Sequence, residues 1–269
     1  MNILVTGGAG FLGSNLVMRL LYQGHSVTAV DNLLTGTLAN LGNAFKQYPE
    51  TFSFINRNVS QRGATLGPID HGAGWDRVYH LASAASPAVY KKHPIKTLRV
   101  GTIGTENMLQ HANHWRARML FASTSEVYGQ PLKHPQSEGY FGNVNPIGPR
   151  SMYDEAKRCG EAFVMAYHYA KGVDTRIARI FNTYGPGLRG DDGRMIPAFV
   201  MAALAGEAIP VHGSGLQTRT LCYVDDTVDG LIRLMENEST EAHLPVNIGG
   251  HQEMTVCLLY TSPSPRDRS

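Results

Sequence analysis

Asn2 to Thr6 is a short apolar run, and Gly7-Gly8-Ala9-Gly10-Phe11-Leu12-Gly13 follows it directly, leading into a helical pattern at Leu16, Val17, Leu20 and Leu21. Few folds accept a strand that turns this abruptly into a helix. Glycines 7, 10 and 13 allow a tight turn, a close backbone approach to a pyrophosphate, and close packing of the helix on the sheet. The helix start offers N–H groups and a positive dipole end to phosphates. Turns are often glycine-rich, so the pattern alone says little; its place between strand and helix gives it meaning. A second strand, Ser26 to Val30, ends in Asp31. An acid there can hold the adenosine ribose hydroxyls and repel a 2′-phosphate, which predicts NAD rather than NADP.

Strand and helix patterns go on alternating along the chain. That predicts an α/β fold with a doubly wound parallel sheet of Rossmann type. Strands are expected at Asn2–Thr6, Ser26–Asp31, Phe52–Asn56, Arg77–Leu81, Met119–Ser123, Thr175–Phe181 and Pro245–Ile248, and helices over about 12–23, 95–114, 151–171, 194–205 and 225–237. Residues 60–74 are glycine-rich and non-periodic, as in a surface loop. Residues 1–181 read as the NAD-binding domain, rejoined by the chain at about 222–249. Residues 182–221 with 250–256 read as a smaller substrate-binding lobe, truncated here. Cys257-Leu-Leu-Tyr-Thr-Ser-Pro-Ser-Pro-Arg-Asp abruptly interrupts a segment that should become a helix after Thr255. Its reverse translation resembles a transposon-end adapter of sequencing libraries, so residues 257–269 are expected to be a non-native tail.

A net charge of +2 without a basic run argues against nucleic acid and anionic membrane surfaces as partners. No apolar stretch approaches the ~20 residues of a membrane span. A first strand starting at Asn2 leaves no room for a signal peptide. Cysteines 159, 222 and 257 are scattered, suggesting neither a disulfide framework nor a metal site, and the eleven histidines show no metal-ligand spacing. A cytoplasmic enzyme without a metal is expected.

Chemistry enters with Ser123-Thr-Ser-Glu-Val-Tyr-Gly129 and with Tyr153-x-x-x-Lys157. One helical turn separates Tyr153 from Lys157, so both side chains face the same way. A phenol is a poor base near neutrality, and a cationic lysine is expected to stabilise its anion and lower its pKa. Such a tyrosine takes the proton from a hydroxyl while hydride leaves the same carbon. His80, ending an apolar strand, reads as a satisfied core histidine.

Together these residues resemble the extended short-chain dehydrogenase/reductase superfamily, in its nucleotide-sugar-modifying branch, and within it the UDP-glucuronate decarboxylases. The resemblance is carried by His80-Leu-Ala-Ser, Pro94-Ile-Lys-Thr-Leu, Gly104-Thr-Glu-Asn-Met-Leu, Ser123 to Gly129 and His134-Pro-Gln-Ser-Glu. It continues in Asn145-Pro-Ile-Gly-Pro-Arg, Tyr153-Asp-Glu-Ala-Lys-Arg, Arg179-Ile-Phe-Asn-Thr-Tyr-Gly-Pro and Gly213-Ser-Gly-Leu-Gln-Thr-Arg. It spans roughly residues 1 to 256 and is most specific from Ser123 to Arg158.

The resemblance implies oxidation of a sugar C4 by NAD, loss of the C6 carboxyl from the β-keto acid, and re-reduction. Tyr153 and Lys157 would be the base and its helper. Thr124 and Ser125 would hydrogen-bond the sugar oxygen, Glu126 would position the ring or handle protons, and Arg219 would act on the carboxylate or at C5. Ser125 matters because 4,6-dehydratases resemble this block but place an aspartate there, and 4-epimerases generally lack the glutamate. An anionic residue at 125 would oppose a substrate carboxylate. Dehydratase, epimerase and non-catalytic NAD-binding readings remain as alternatives. The cofactor would be held by Gly7, Gly10, Phe11, Leu12, Gly13, Asp31, Asn32, Thr35, Gly36, Asn58, Val59, Leu81, Ala82, Ser83 and Thr97, with Tyr153 and Lys157. A UDP-sugar would be held by Ala85, Tyr90, Arg150, Asn182, Arg194, Gln217 and Arg219. The resemblance further implies a homodimer through a four-helix bundle built from about 95–114 and 151–171. Asn58, Gly101 and His212 depart from residues common in relatives, and the third-strand region is longer.

Overall fold

The computed structural model describes residues 1–61, 74–211 and 213–261, with side chains through 259. His212, most of the loop expected at 60–74, and the tail beyond 261 lie outside the described residues. The chain runs through β1 (Asn2–Thr6), α1 (Phe11–Tyr22), β2 (Ser26–Asp31), α2 (Gly42–Gln47), β3 (Phe52–Asn56) and β4 (Arg77–His80). Next come α3 (Pro87–Lys92), α4 (Pro94–Arg99), a π-helical turn at Val100–Gly104, α5 (Thr105–Trp115), β5 (Arg118–Thr124), α6 (Ser151–Lys171) and β6 (Thr175–Ile180). After β6 come β7 (Thr183–Tyr184), α7 (Met195–Ala205), β8 (Thr218–Thr220), β9 (Cys222–Tyr223), α8 (Val224–Met235), β10 (Pro245–Ile248), β11 (Glu253–Thr255) and α9 (Val256–Thr261).

Seven parallel strands form the main sheet in the order β10-β6-β5-β4-β1-β2-β3. The chain winds outward from β1 to β3 and then crosses back to β4 on the other side of β1. Such a switch leaves a crevice at the carboxyl ends of β1 and β4, where ligands of open α/β sheets bind. Register fixes its floor, because Thr6 lies level with Val30 on one side and His80 on the other. The loops opening at Gly7, Asp31 and Leu81 therefore leave the sheet together.

Two apolar layers hold the sheet. Leu16, Val17, Leu20 and Leu21 of α1 pack with Val228, Leu231 and Leu234 of α8 on one face. Met108, Leu109 and Ala112 of α5 pack with Val164 of α6 on the other. Complete burial of each large aliphatic side chain stabilises by roughly 1.5–3 kcal/mol, and this packing secures helices of 11 or 12 residues that are marginal alone. Among the described residues no helix is long and apolar enough to cross a membrane.

The helix expected over 95–114 is divided, with the π-helical turn between α4 and α5. Gly101 lies in that turn, where a Cβ would come within 2.6 Å of the Ala156 Cβ on α6. The close approach of α6 accounts for a glycine that helix propensity disfavours. His80 is fully buried between Thr6 and Thr105, whose hydroxyls lie 2.7 and 3.3 Å from its ring nitrogens. Burial draws its pKa down to about 3, aided by Lys157, so it is a neutral core residue.

Candidate active site

A cavity of about 590 Å3 opens over the crevice. On its β1 side Gly7 takes φ 72°, and a Cβ on Gly13 would collide with the Gly7 carbonyl. The loop can therefore close tightly only on glycine, and it leads through Gly10, the N-cap, into α1, which has no acid in its first turn. Asp31 stands beside this loop, accepting from the Ala9 N–H at 3.1 Å and the Leu33 N–H at 2.8 Å. Burial raises its carboxyl pKa above the ordinary range, and the backbone hydrogen bonds oppose that rise. A glycine cradle, a helix N-terminus and an acid on the cavity wall suit a dinucleotide.

Gly10, Phe11, Leu12, Asn32, Thr35, Asn58 and Val59 line this part of the cavity, and Leu81, Ala82, Ser83 and Thr97 line its far wall. Gly36 does not. It packs behind the loop, where a Cβ would press on the Ala9 carbonyl and the Asp31 carboxylate, so it shapes the cradle without facing it.

The reactive groups meet where β5 ends. Thr124 is the last residue of β5, and its hydroxyl accepts from the Glu126 N–H, capping a short 3₁₀ turn at Ser125–Tyr128. That cap points Thr124, Ser125 and Glu126 into the cavity, which Tyr153 and Lys157 line from α6. Tyr153 hydrogen-bonds to Thr124. Lys157 Nζ donates to the Ala122 carbonyl at 2.6 Å and lies 5.0 Å from the Phe121 ring centre and 6.0 Å from that of Tyr153.

The expected acidification of Tyr153 by Lys157 is not what this arrangement gives. Burial pushes the phenol up to about 12, with Glu126 and Asp154 adding to the rise and Thr124 and Arg194 opposing it. Lys157 is itself drawn down to about 8 by burial, against the pull of Glu161. Drawn to a carbonyl, the ammonium does not offset the cost of a buried phenolate.

Among the sugar-side residues, Ala85, Arg150, Asn182, Arg194 and Arg219 line the cavity. Two expected members do not. Tyr90 is buried behind Tyr153, stacked on it with ring centres 5.3 Å apart and planes 7° apart, so it supports the phenol from the rear. Gln217 stands off the wall, its carbonyl accepting from the Val256 N–H at 3.1 Å. Arg219 donates from Nη1 to the Thr218 carbonyl at 2.7 Å. Arg194 pairs with Asp192, whose backbone carbonyl accepts from the Ser86 hydroxyl at 2.6 Å. Neither Asp192 nor Ser86 stands out in the sequence, because their meeting depends on tertiary structure.

Asp154 is a second residue that spacing could not single out. It is 7% exposed, its Oδ1 has no hydrogen-bond partner, and burial with Glu126 pushes its pKa up to about 6 from 3.8. A carboxyl with a raised folded-state pKa stabilises most when protonated, and that contribution fades as pH rises through about 4 to 6. Asp154→Asn is thus expected to raise Tm by about 3 °C near pH 8, with the gain vanishing near pH 4. Melting curves across that range check this; a gap constant with pH would contradict it.

The match to known proteins covers most of this architecture. UDP-glucuronic acid decarboxylase 1 of Xenopus tropicalis is 49% identical over 254 residues, covering 94% of this chain and 57% of the relative. UDP-glucuronic acid decarboxylase 3 of Arabidopsis thaliana is 49% identical over 257 residues, covering 95% and 71%. The chain thus spans little more than half the length of the vertebrate relative. Among solved structures, UDP-glucose 4-epimerase of Thermotoga maritima with UDP-glucose superposes with TM-score 0.83 at 29% identity, covering 97% of this chain and 80% of that one. The dTDP-glucose 4,6-dehydratase DesIV of Streptomyces venezuelae, solved with NAD bound, gives 0.82 at 29%, covering 97% and 79%. A family model described as NAD dependent epimerase/dehydratase matches residues 3–249, a range that takes in the glycine cradle, the β5 turn and the closing strand β10. The chain belongs to the NAD dependent epimerase/dehydratase family.

Proposed function

We propose that this chain decarboxylates UDP-glucuronate to UDP-xylose, using NAD. The observation that carries the reading is Ser125. An uncharged residue occupies the turn beside Tyr153, in a cavity that also holds Arg150 and Arg219. A carboxylate-bearing sugar meets no aspartate at that point and finds cations to meet it. The decarboxylases at 49% identity support the same reading.

NAD would be held by Gly7, Gly10, Gly13 and Asp31, which line the cavity, and would supply the hydride acceptor for oxidation at C4 and the donor for the final reduction. Tyr153 takes the C4 hydroxyl proton in its phenolate form, which the Thr124 hydrogen bond and the Arg194 charge favour. The 4-ketone is β to the carboxyl, so CO2 leaves with its bonding electrons flowing into an enolate. Thr124 and Ser125 donate hydrogen bonds to the C4 oxygen as it gains charge. Glu126 and Arg219 govern protonation at C5, and Tyr153 returns its proton as the ketone is reduced.

Residues 1–181 with 222–249 serve NAD in this reading, and 182–221 with 250–256 serve the sugar, leaving 257–269 as a non-native tail. A cytoplasmic location belongs to this reading and suits the scattered positions of Cys159, Cys222 and Cys257. A homodimer through α4, α5 and α6 is part of the proposal, supported by Ile95 and Leu98, which are exposed on α4.

Incubation with NAD and UDP-glucuronate labelled with 13C at C6 tests the chemistry. Labelled CO2 and a UDP-pentose are expected. An epimerised or 4-keto acid product that keeps its label would overturn the reading, and a product stopping at the 4-keto pentose would overturn only the final reduction.

A further inference from the structure

Arg150 is held at two points by groups of different kinds. Its Nε donates to the Tyr90 hydroxyl at 3.1 Å, and its Nη2 meets Glu126 Oε2 at 2.5 Å. The first anchor is rigid, because Tyr90 is 1% exposed and stacked against Tyr153. The second lies within the cavity, where the Arg150 and Glu126 side chains are 47% and 32% exposed.

Ion pairs this accessible are weakly held, since water screens them and competes for both partners. A carboxylate entering the cavity can offer Arg150 the same charge-assisted hydrogen bond that Glu126 gives it, so the exchange costs little. Tyr90 keeps the guanidinium in place while its partner changes. Asp154, buried in the first turn of α6, remains a negative neighbour of Arg150 whichever partner it takes. Arg219 stands on β8 and takes no part in the Glu126 pair.

We propose that Arg150 is a carboxylate relay: it holds Glu126 in the resting site and passes to the carboxylate of an acidic nucleotide sugar, releasing Glu126 to the reaction centre. The proposal rests on the decarboxylase reading and deepens it. A neutral sugar lacks the group that draws Arg150 away and leaves Glu126 held. Selection for the acidic sugar then acts through the freeing of Glu126 as well as through binding.

Calorimetric titration of the full chain loaded with NADH, which prevents turnover, separates the possibilities. UDP-glucuronate and UDP-glucose are compared on the parent, Arg150→Gln, Arg150→Lys and Glu126→Gln. Arg150→Gln is expected to weaken UDP-glucuronate by about ten-fold or more, leaving UDP-glucose within about two-fold. Arg150→Lys, which keeps the charge and loses the fork, is expected to weaken UDP-glucuronate by less and to spare UDP-glucose. Glu126→Gln removes the competitor and is expected to tighten UDP-glucuronate by about three-fold without tightening UDP-glucose. Equal loss of both ligands in the arginine variants, no change in either, or a weaker UDP-glucuronate complex in Glu126→Gln overturns the relay alone. A parent that binds neither sugar nucleotide overturns the decarboxylase reading with it.

Discussion

Tyr153→Phe should lower kcat by about 1,000-fold while leaving NAD affinity close to that of the parent. The substitution removes one oxygen and little else. The ring keeps its stack on Tyr90, and the α6 backbone that carries Lys157 is unchanged. What disappears is the hydroxyl hydrogen-bonded to Thr124, the group proposed to receive and return the C4 proton. Water is a poor replacement, because the phenol is buried and little solvent reaches it. Single-turnover formation of NADH, measured beside equilibrium binding of NAD, separates the proton step from cofactor capture. A variant turning over at the parental rate would remove Tyr153 from the mechanism.

Gly13→Ala should reverse that pattern, damaging cofactor binding and the fold. The added methyl runs into the Gly7 carbonyl and comes within 2.8 Å of the Gly8 Cα, and both neighbours are backbone. Gly7 has little freedom to yield, because its φ of 72° already places it where other residues are strained. Overpacking of this kind costs about 1–3 kcal/mol, which corresponds to NAD binding weaker by about 10- to 100-fold if the strain falls on the cradle. Gly24→Ala provides the contrast, since its Cβ would meet nothing within 4 Å and only its φ of 82° is unfavourable. Equilibrium dialysis of NAD and thermal melting of both variants check the expectation. Equal NAD affinity in Gly13→Ala and the parent would show that the loop can open without harm.

Local features were readable from the residues, and features made by distant contacts were not. The first three strands follow from short apolar runs, the first closed by glycine and the second by an acid, and their limits in the fold are Asn2–Thr6, Ser26–Asp31 and Phe52–Asn56 as expected. The 21-residue α6 follows from its periodicity, and with it the shared face of Tyr153 and Lys157. The six-residue helices α2 and α3 are too short to show a period. The π-helical turn is invisible in a pattern that treats 95–114 as one helix, because the packing of Gly101 on Ala156 sets it. The acidity of Tyr153 illustrates the same limit. Spacing places a lysine nearby, but only the folded chain reveals how deeply the phenol is buried and which carbonyl holds the ammonium. The resemblance implies a sugar contact for Tyr90, and only the folded chain reveals that its ring stacks on the phenol of Tyr153.

The outer strand β10 has a consequence for synthesis. It pairs with β6, which ends at Ile180, yet β10 begins only at Pro245. Its Asn247 accepts from the Tyr128 hydroxyl at 2.7 Å and so reaches the 3₁₀ turn that presents Ser125 and Glu126. On the ribosome, the nascent sheet must therefore wait with one flank of β6 unpaired while β7 to α8 emerge, and an unpaired strand flank can template association between chains. The turn carrying Ser125 and Glu126 gains this brace only when β10 arrives, which ties its maturation to translation of a segment more than 60 residues beyond β6.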